Sequence, residues 1–190
     1  MGIMNLGYVI LEMQDPAKWS KFAQDILGFG EAESFGEIGT TYLRMDNAPF
    51  RYMVRKGNKD RFLAGGYEIS SKSDFENQIE LFEGSGIDVY RGPKAEADCR
   101  AVEAFVSVKD PSGNTVEIFY GRAPDKSFLP GHGIIKFITG AMGLGHMVLP
   151  APENETTISF YEDLMGFGVS DDLTLPAFAP EMPEQRIYFM

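Results

Sequence analysis

Few residues in this chain have the type and setting for chemistry. Among 190 residues there are two histidines, His132 and His146, and a single cysteine, Cys99. His146 sits in Gly143-Leu144-Gly145-His146-Met147-Val148, where an imidazole carried on a strand can ligate a metal, pack, or face solvent. His132, in Gly131-His132-Gly133, has no ligand spacing to His146 and reads as a loop residue. Asp110 and Glu117 suggest paired carboxylates for acid–base work, although a solvated strand residue is the simpler reading of Glu117. Cys99 has no histidine or basic pattern around it that would make its thiolate a nucleophile. Gly143-x-Gly145 lacks the third glycine of a dinucleotide-binding turn and precedes a strand rather than a helix.

A repeat says which elements position these residues. Leu6-Gly7-Tyr8 and Leu27-Gly28-Phe29-Gly30 recur as Leu144-Gly145-His146 and Met165-Gly166-Phe167-Gly168, always 138 positions on. Phe22 and Asp25 recur as Phe160 and Asp163 at the same offset. His146 therefore stands where the first copy has Tyr8. Residues 3–12 run apolar and alternate, as a strand does. Asp15-Pro16 caps and starts a helix in which Trp19, Phe22 and Ile26 recur at helical spacing and which ends at Gly28. Strands follow near 31–35, 40–45 and 50–56. A weaker echo at offset 56 places Gly84 and Gly86 on Gly28 and Gly30. It brings a helix over 72–83, with capping-box spacing at Ser73 and Glu76, and strands at 87–91, 102–109 and 115–120. The fold class is α+β, built from paired βαβββ modules. Residues 1–120 form the first domain, 121–134 a Pro- and Gly-rich linker, and 135–190 the start of a second. Because Tyr42–Met45 match 187–190, that second domain reads as incomplete, and the chain as a fragment of a protein of about 270–300 residues.

Composition narrows the function classes. With 17 Lys plus Arg against 28 Asp plus Glu, the net charge is −11, which repels nucleic-acid backbones and acidic membranes. A lone cysteine forms no internal disulfide, fitting a reducing cytoplasm. No apolar run approaches the roughly 20 residues of a membrane helix, and the N-terminus has no basic region ahead of its apolar stretch. The Asn154-Glu155-Thr156 sequon is then a chance match.

The segments Gly143–Val148, Phe160-Tyr161 and Leu164–Phe167, with Tyr42–Asp46, Asp110–Asn114, Glu117 and Tyr120-Gly121, make the chain resemble type I extradiol ring-cleavage dioxygenases. These are two-domain enzymes of the vicinal oxygen chelate superfamily, and the likeness is nearest to those acting on bicyclic catechols such as 2,3-dihydroxybiphenyl. The resemblance implies Fe(II), with Mn(II) as the alternative, held by two His and one Glu. His146 matches the first ligand, and the other two would lie beyond residue 190. It implies a catechol and dioxygen as reactants and a homo-oligomer when complete. By match, Val148, Leu175 and Phe189 line the aromatic pocket, though each is equally a core position. Two other classes stay open: a non-catalytic small-molecule-binding module, and a glyoxalase- or epimerase-type metalloenzyme. Metal content and a yellow ring-cleavage product separate the three.

Overall fold

The structure, a computed structural model, describes residues 2–131, 136–177 and 184–190; His132 lies outside them. An eight-stranded sheet dominates it, in the order β2-β3-β4-β1-β5-β8-β7-β6. The strands are β1 (Ile3–Met13), β2 (Gly30–Glu31), β3 (Thr40–Arg44), β4 (Tyr52–Lys56), β5 (Arg61–Ile69), β6 (Tyr90–Arg91), β7 (Ala104–Lys109) and β8 (Thr115–Tyr120). The order has the same arrangement on either side of the β1–β5 junction. β1 pairs parallel with β4 and β5 parallel with β8, while β1 and β5 run antiparallel. Two βαβββ modules thus meet through their first strands, as the echo at offset 56 implies.

Each module's helix forms where a cap and an apolar stripe coincide. In α1 (Pro16–Asp25) the Asp15 carboxylate accepts from the Lys18 amide at 3.0 Å, with Pro16 in the first turn. In α2 (Lys72–Gly84) the cap is Ser71, whose hydroxyl accepts from the Asp74 amide at 3.1 Å. Ser73 and Glu76, which have capping-box spacing, are not the cap. Gly28, Gly86 and Gly166 each adopt φ of 72–75° just past a helix, a backbone state in which a side chain is strained. In the second module the position equivalent to Gly28 is therefore Gly86 rather than Gly84, because α2 runs on to Gly84 itself. A short helix that the periodicity does not show, α3 (Lys94–Cys99), follows β6.

The sheet buries both faces. One face carries α1 and α2 over Leu43, Val54, Val9, Tyr67, Ile69, Val106 and Ile118. The other, concave face is filled by Tyr8, Ile10, Tyr42, Met53, Phe105 and Phe119, and is closed by Ala97 of α3 with Ala101 and Val102. Strands with apolar residues on both faces lose the simple alternation of a half-exposed strand.

The later residues dock on this unit. α4 (Asn154–Ser159) continues into a π-helical turn, Phe160–Leu164. Phe160, Tyr161 and Met165 are buried against α2 and the sheet, with the Phe160 and Phe82 rings stacked at 6.0 Å. Tyr161 Oη donates to Asp110 Oδ2 at 3.3 Å, and Gln78 Nε2 donates to the Leu164 carbonyl at 2.7 Å. β9 (Asp171–Leu175) and β10 (Gln185–Phe189) form a separate antiparallel pair. The segment that carries His146, expected as a strand, has no regular secondary structure over 144–150. β1, its counterpart in the repeat, is held between β4 and β5, whereas this segment pairs with no strand among the described residues.

Truncating Phe160 removes a buried ring from the joint between α4 and α2. Phe160→Ala should lower the unfolding free energy by about 3–5 kcal/mol in urea titration. A loss under about 1 kcal/mol would show that α4 does not share the cooperative unit of the sheet.

Candidate metal centre

His146 lies on the irregular segment after Gly143 and is exposed. Its two neighbourhoods along the chain are nevertheless pinned. On one side Gly143, at φ 63°, packs so closely on Arg51 that an added Cβ would lie 2.4 Å from the guanidinium. Arg51 is itself fixed, pairing with Asp46 at 2.7 Å and donating through Nη1 to the Gly7 carbonyl at 2.8 Å. On the other side the Met147 side chain fills the notch over Gly65 of β5, where a Cβ would meet Met147 Cε at 2.2 Å. The remaining residues singled out by sequence are not gathered around the imidazole. Val148 is 73% exposed, and Leu175 is half-buried on β9. Phe189, on β10, is 44% exposed. Leu175 pairs with Gln185 and Phe189 with Asp171, so the two share one face of the hairpin at opposite ends, roughly 13 Å apart. Among the described residues no group of three or more His, Cys, Asp or Glu side chains is placed to hold a metal. One imidazole, and no second or third ligand, is what these residues offer.

The carboxylate read as solvated is buried and held by three hydrogen bonds. Glu117 of β8 is 3% exposed. Strand register sets it level with Gly66 of β5, and Gly66 level with Tyr8 of β1. Tyr8 Oη donates to Glu117 Oε2 at 2.7 Å. Arg100 donates to the same carboxylate through Nε and Nη2, both at 2.7 Å, and through Nη1 to the Glu96 carbonyl at 3.1 Å. The guanidinium lies over the Phe105 ring, 3.8 Å from its centroid. Gly66 carries no side chain because the Tyr8 ring lies against it, 2.3 Å from where a Cβ would be. The signal in the sequence was Glu117 between Val116 and Ile118, an acidic residue on a strand that burial on both faces leaves no solvated side. Asp110, offered as its partner, instead shapes the turn before β8. It accepts from the Asn114 amide and side chain, each at 2.8 Å. Cys99 is half-buried at the end of α3, and burial pushes its thiol up from its ordinary value.

The electrostatics follow from this packing. Burial first, and then the Glu117 charge, raise the Tyr8 hydroxyl well above the ordinary phenol range, so it stays a neutral donor. Burial works against the Arg100 charge, but the hydrogen bonds and charge of Glu117 outweigh it and hold the guanidinium more firmly protonated. Burial pushes Tyr67 up to about 12.

Residues 6–57 match the family model described as "Dihydroxybiphenyl dioxygenase BphC D1". Over 93% of its length the chain is 31% identical to an iron-dependent extradiol dioxygenase of Rhodococcus jostii (strain RHA1), covering 58% of that protein. Over 94% of its length it is 33% identical to a biphenyl-2,3-diol 1,2-dioxygenase of Paraburkholderia xenovorans (strain LB400), covering 62%. A crystal structure of a catechol 2,3-dioxygenase superposes with a TM-score of 0.83 at 30% identity, over 93% of this chain and 63% of that one. The chain thus spans about 60% of the length of the curated relatives it matches.

The two histidine and carboxylate positions should respond oppositely to substitution. Glu117→Gln leaves the Arg100 charge buried and uncompensated, and should cost about 3–5 kcal/mol of unfolding free energy. His146→Ala, at an exposed position, should stay within about 0.5 kcal/mol. Urea titration of the two variants checks the pair, and a mild Glu117→Gln would mean the ion pair is not structural.

The buried phenols set an alkaline limit. An unfolded tyrosine ionises near pH 10, while Tyr8 and Tyr67 are raised above that in the fold. Their contribution is complete below about pH 10 and is lost as pH climbs from there toward the folded values. Unfolding free energies measured between about pH 9 and 12 should fall, and fall less steeply in Tyr67→Phe. An identical slope in that variant would remove Tyr67 from the account.

Proposed function

We propose that this chain belongs to the extradiol dioxygenases of the vicinal oxygen chelate superfamily and is part of an enzyme opening a bicyclic catechol beside the diol with dioxygen, in the breakdown of aromatic compounds. The observation that carries this is the identity of 31–33% with enzymes named for such reactions, running through 93–94% of the chain rather than through one motif. Fe(II), with Mn(II) as the alternative, is the metal such an enzyme uses. His146 is the residue of this chain we assign as a ligand to it. A single imidazole does not fit a catalytic iron site, which needs three protein ligands, and we place the other two outside the described residues. What this chain does for the reaction is to carry one ligand and fix where it stands. Arg51 through Gly143, and Gly65 through Met147, brace the segment on either side of His146.

Val148, Leu175 and Phe189 are proposed to line the aromatic pocket once the remaining ligands are brought up to His146. The exposure of Val148 and Phe189 leaves them free to meet a ring. The division into residues 1–120, a linker at 121–134 and a catalytic part from 135 is proposed on the same basis. No described helix is long and apolar enough to cross a membrane. We place the enzyme in the cytoplasm as a homo-oligomer.

The test supplies the protein with Fe(II) under anaerobic conditions, then adds 2,3-dihydroxybiphenyl and air, and follows a yellow ring-cleavage product. In an active protein His146→Ala should lower metal content and abolish the product, since removing a ligand costs the metal directly. Product formation undiminished in that variant would sink the ligand assignment. The 190-residue chain by itself, with His146 as its one assigned ligand, should lose Fe(II) to a mild chelator and give no product. A metal-free protein that retains a catechol without opening it would favour a binding module. Turnover of a thiohemiacetal in place of a catechol would favour a glyoxalase.

A further inference from the structure

The repeat and the strand register together assign a role to the buried cluster on the concave face. The period of 138 carries Tyr8 onto His146. Register sets Tyr8, Gly66 and Glu117 abreast on three neighbouring strands, about 5 Å from strand to strand. Three positions so spaced can converge on one cation. Here they do not offer it lone pairs: the Tyr8 hydroxyl donates to Glu117, and Gly66 is covered by the Tyr8 ring. Glu117 is the one anion of the row, and a cation already faces it. The Arg100 side chain, 4% exposed, reaches in from the end of α3, forks onto both carboxylate oxygens and stacks on Phe105.

We infer that the concave face of the eight-stranded sheet is a cation site occupied in cis, in which the Arg100 guanidinium fills the place of an external cation, and that removing its side chain opens a buried site for a free guanidinium ion. The ligand class follows from what lines the space. A carboxylate with two oxygens in line suits a planar fork, and an aromatic face suits a flat, weakly hydrated cation. A divalent metal would find one carboxylate and a phenol that stays protonated, too few donors to replace its water shell. The inference rests on the sheet alone and does not depend on the reading of His146. Its readout is thermal stability, so loss of ring cleavage and loss of this site are told apart.

The experiment uses Arg100→Ala in the full 190-residue chain. Leaving Glu117 buried without its partner should lower the melting temperature by about 10 °C or more. Guanidinium chloride in the millimolar range, well below denaturing levels, should then raise it saturably, as a ligand selective for the folded state does. Sodium chloride, urea and manganese chloride at matched concentrations should not. The wild type and Arg100→Ala/Glu117→Gln should show no saturable gain from guanidinium. If Arg100→Ala is recovered only unfolded, refolding yields from urea with guanidinium or with sodium are compared, and a higher yield with guanidinium supports the site. The inference is overturned by an absent or equal rescue in any of these comparisons, by stronger stabilisation from manganese, or by an Arg100→Ala protein that melts within about 1 °C of the wild type.

Discussion

Burying the Glu117 carboxylate within a sheet is costly, and the concave face is arranged around it. A buried carboxylate without partners costs several kcal/mol, and a charged group left alone would take up a proton or keep water at its side. Here three donors, two from Arg100 and one from Tyr8, saturate it in a space that Ala97, Ala101 and Val102 close. For Arg100 to reach it, the chain between β6 and β7 must turn inward, and α3 is the element that does so. Arg100 also donates back to the Glu96 carbonyl of that helix, so the ion pair and the short helix that delivers it hold each other. With the charges neutralised, the apolar residues of the concave face can pack dry, and the sheet is buried on both sides.

Small residues provide the second constraint. The Tyr8 ring lies against Gly66, the Phe119 ring against Gly7, and Met147 against Gly65. Each close approach exists because the strand beneath has no side chain, and each joins two strands or two segments that would otherwise stand further apart. Gly65 and Gly66 are consecutive, so they point to opposite faces of β5. One admits Tyr8 on the concave side, and the other admits Met147 on the helical side. A pair of glycines in a central strand weakens it by their entropy alone. Central placement between β1 and β8, with hydrogen-bonded neighbours on both sides, offsets that loss.

Much of this was legible in the sequence. The 138-residue period, the Asp15-Pro16 helix start, the β-strands on either side of it and the turn at Asp110–Asn114 follow local rules that depend on a few neighbouring residues. What could not be read was non-local. Arg100 carries no mark in its own segment, since its partner is 17 residues away on β8. Glu117 looked solvated because its apolar neighbours Val116 and Ile118 show one covered face of the strand, and the cover over the other face comes from segments far along the chain. Gly65 reads as a strand weakness until Met147, more than 80 positions on, is seen to need the space. The strand expected to carry His146 failed for the converse reason. Its residues suit a strand, but strand formation requires a neighbour to bond, and the described residues supply none.

The same segment thus appears twice in one chain and is put to two uses by what surrounds it. At its first occurrence Leu-Gly-Tyr is a central strand, with its tyrosine locked to a carboxylate and a guanidinium and turned away from solvent. At its second, Leu-Gly-His is braced by Arg51 and Gly65 but leaves its imidazole exposed and unpartnered by any ligand-forming cluster among the described residues. The difference is one of electrostatic completeness. The first copy carries its own cation and needs nothing added, so it can serve as a rigid platform. The second leaves its imidazole exposed at a position braced on both sides. That asymmetry separates a copy closed on its own ion pair from a copy whose corresponding side chain is left open to solvent.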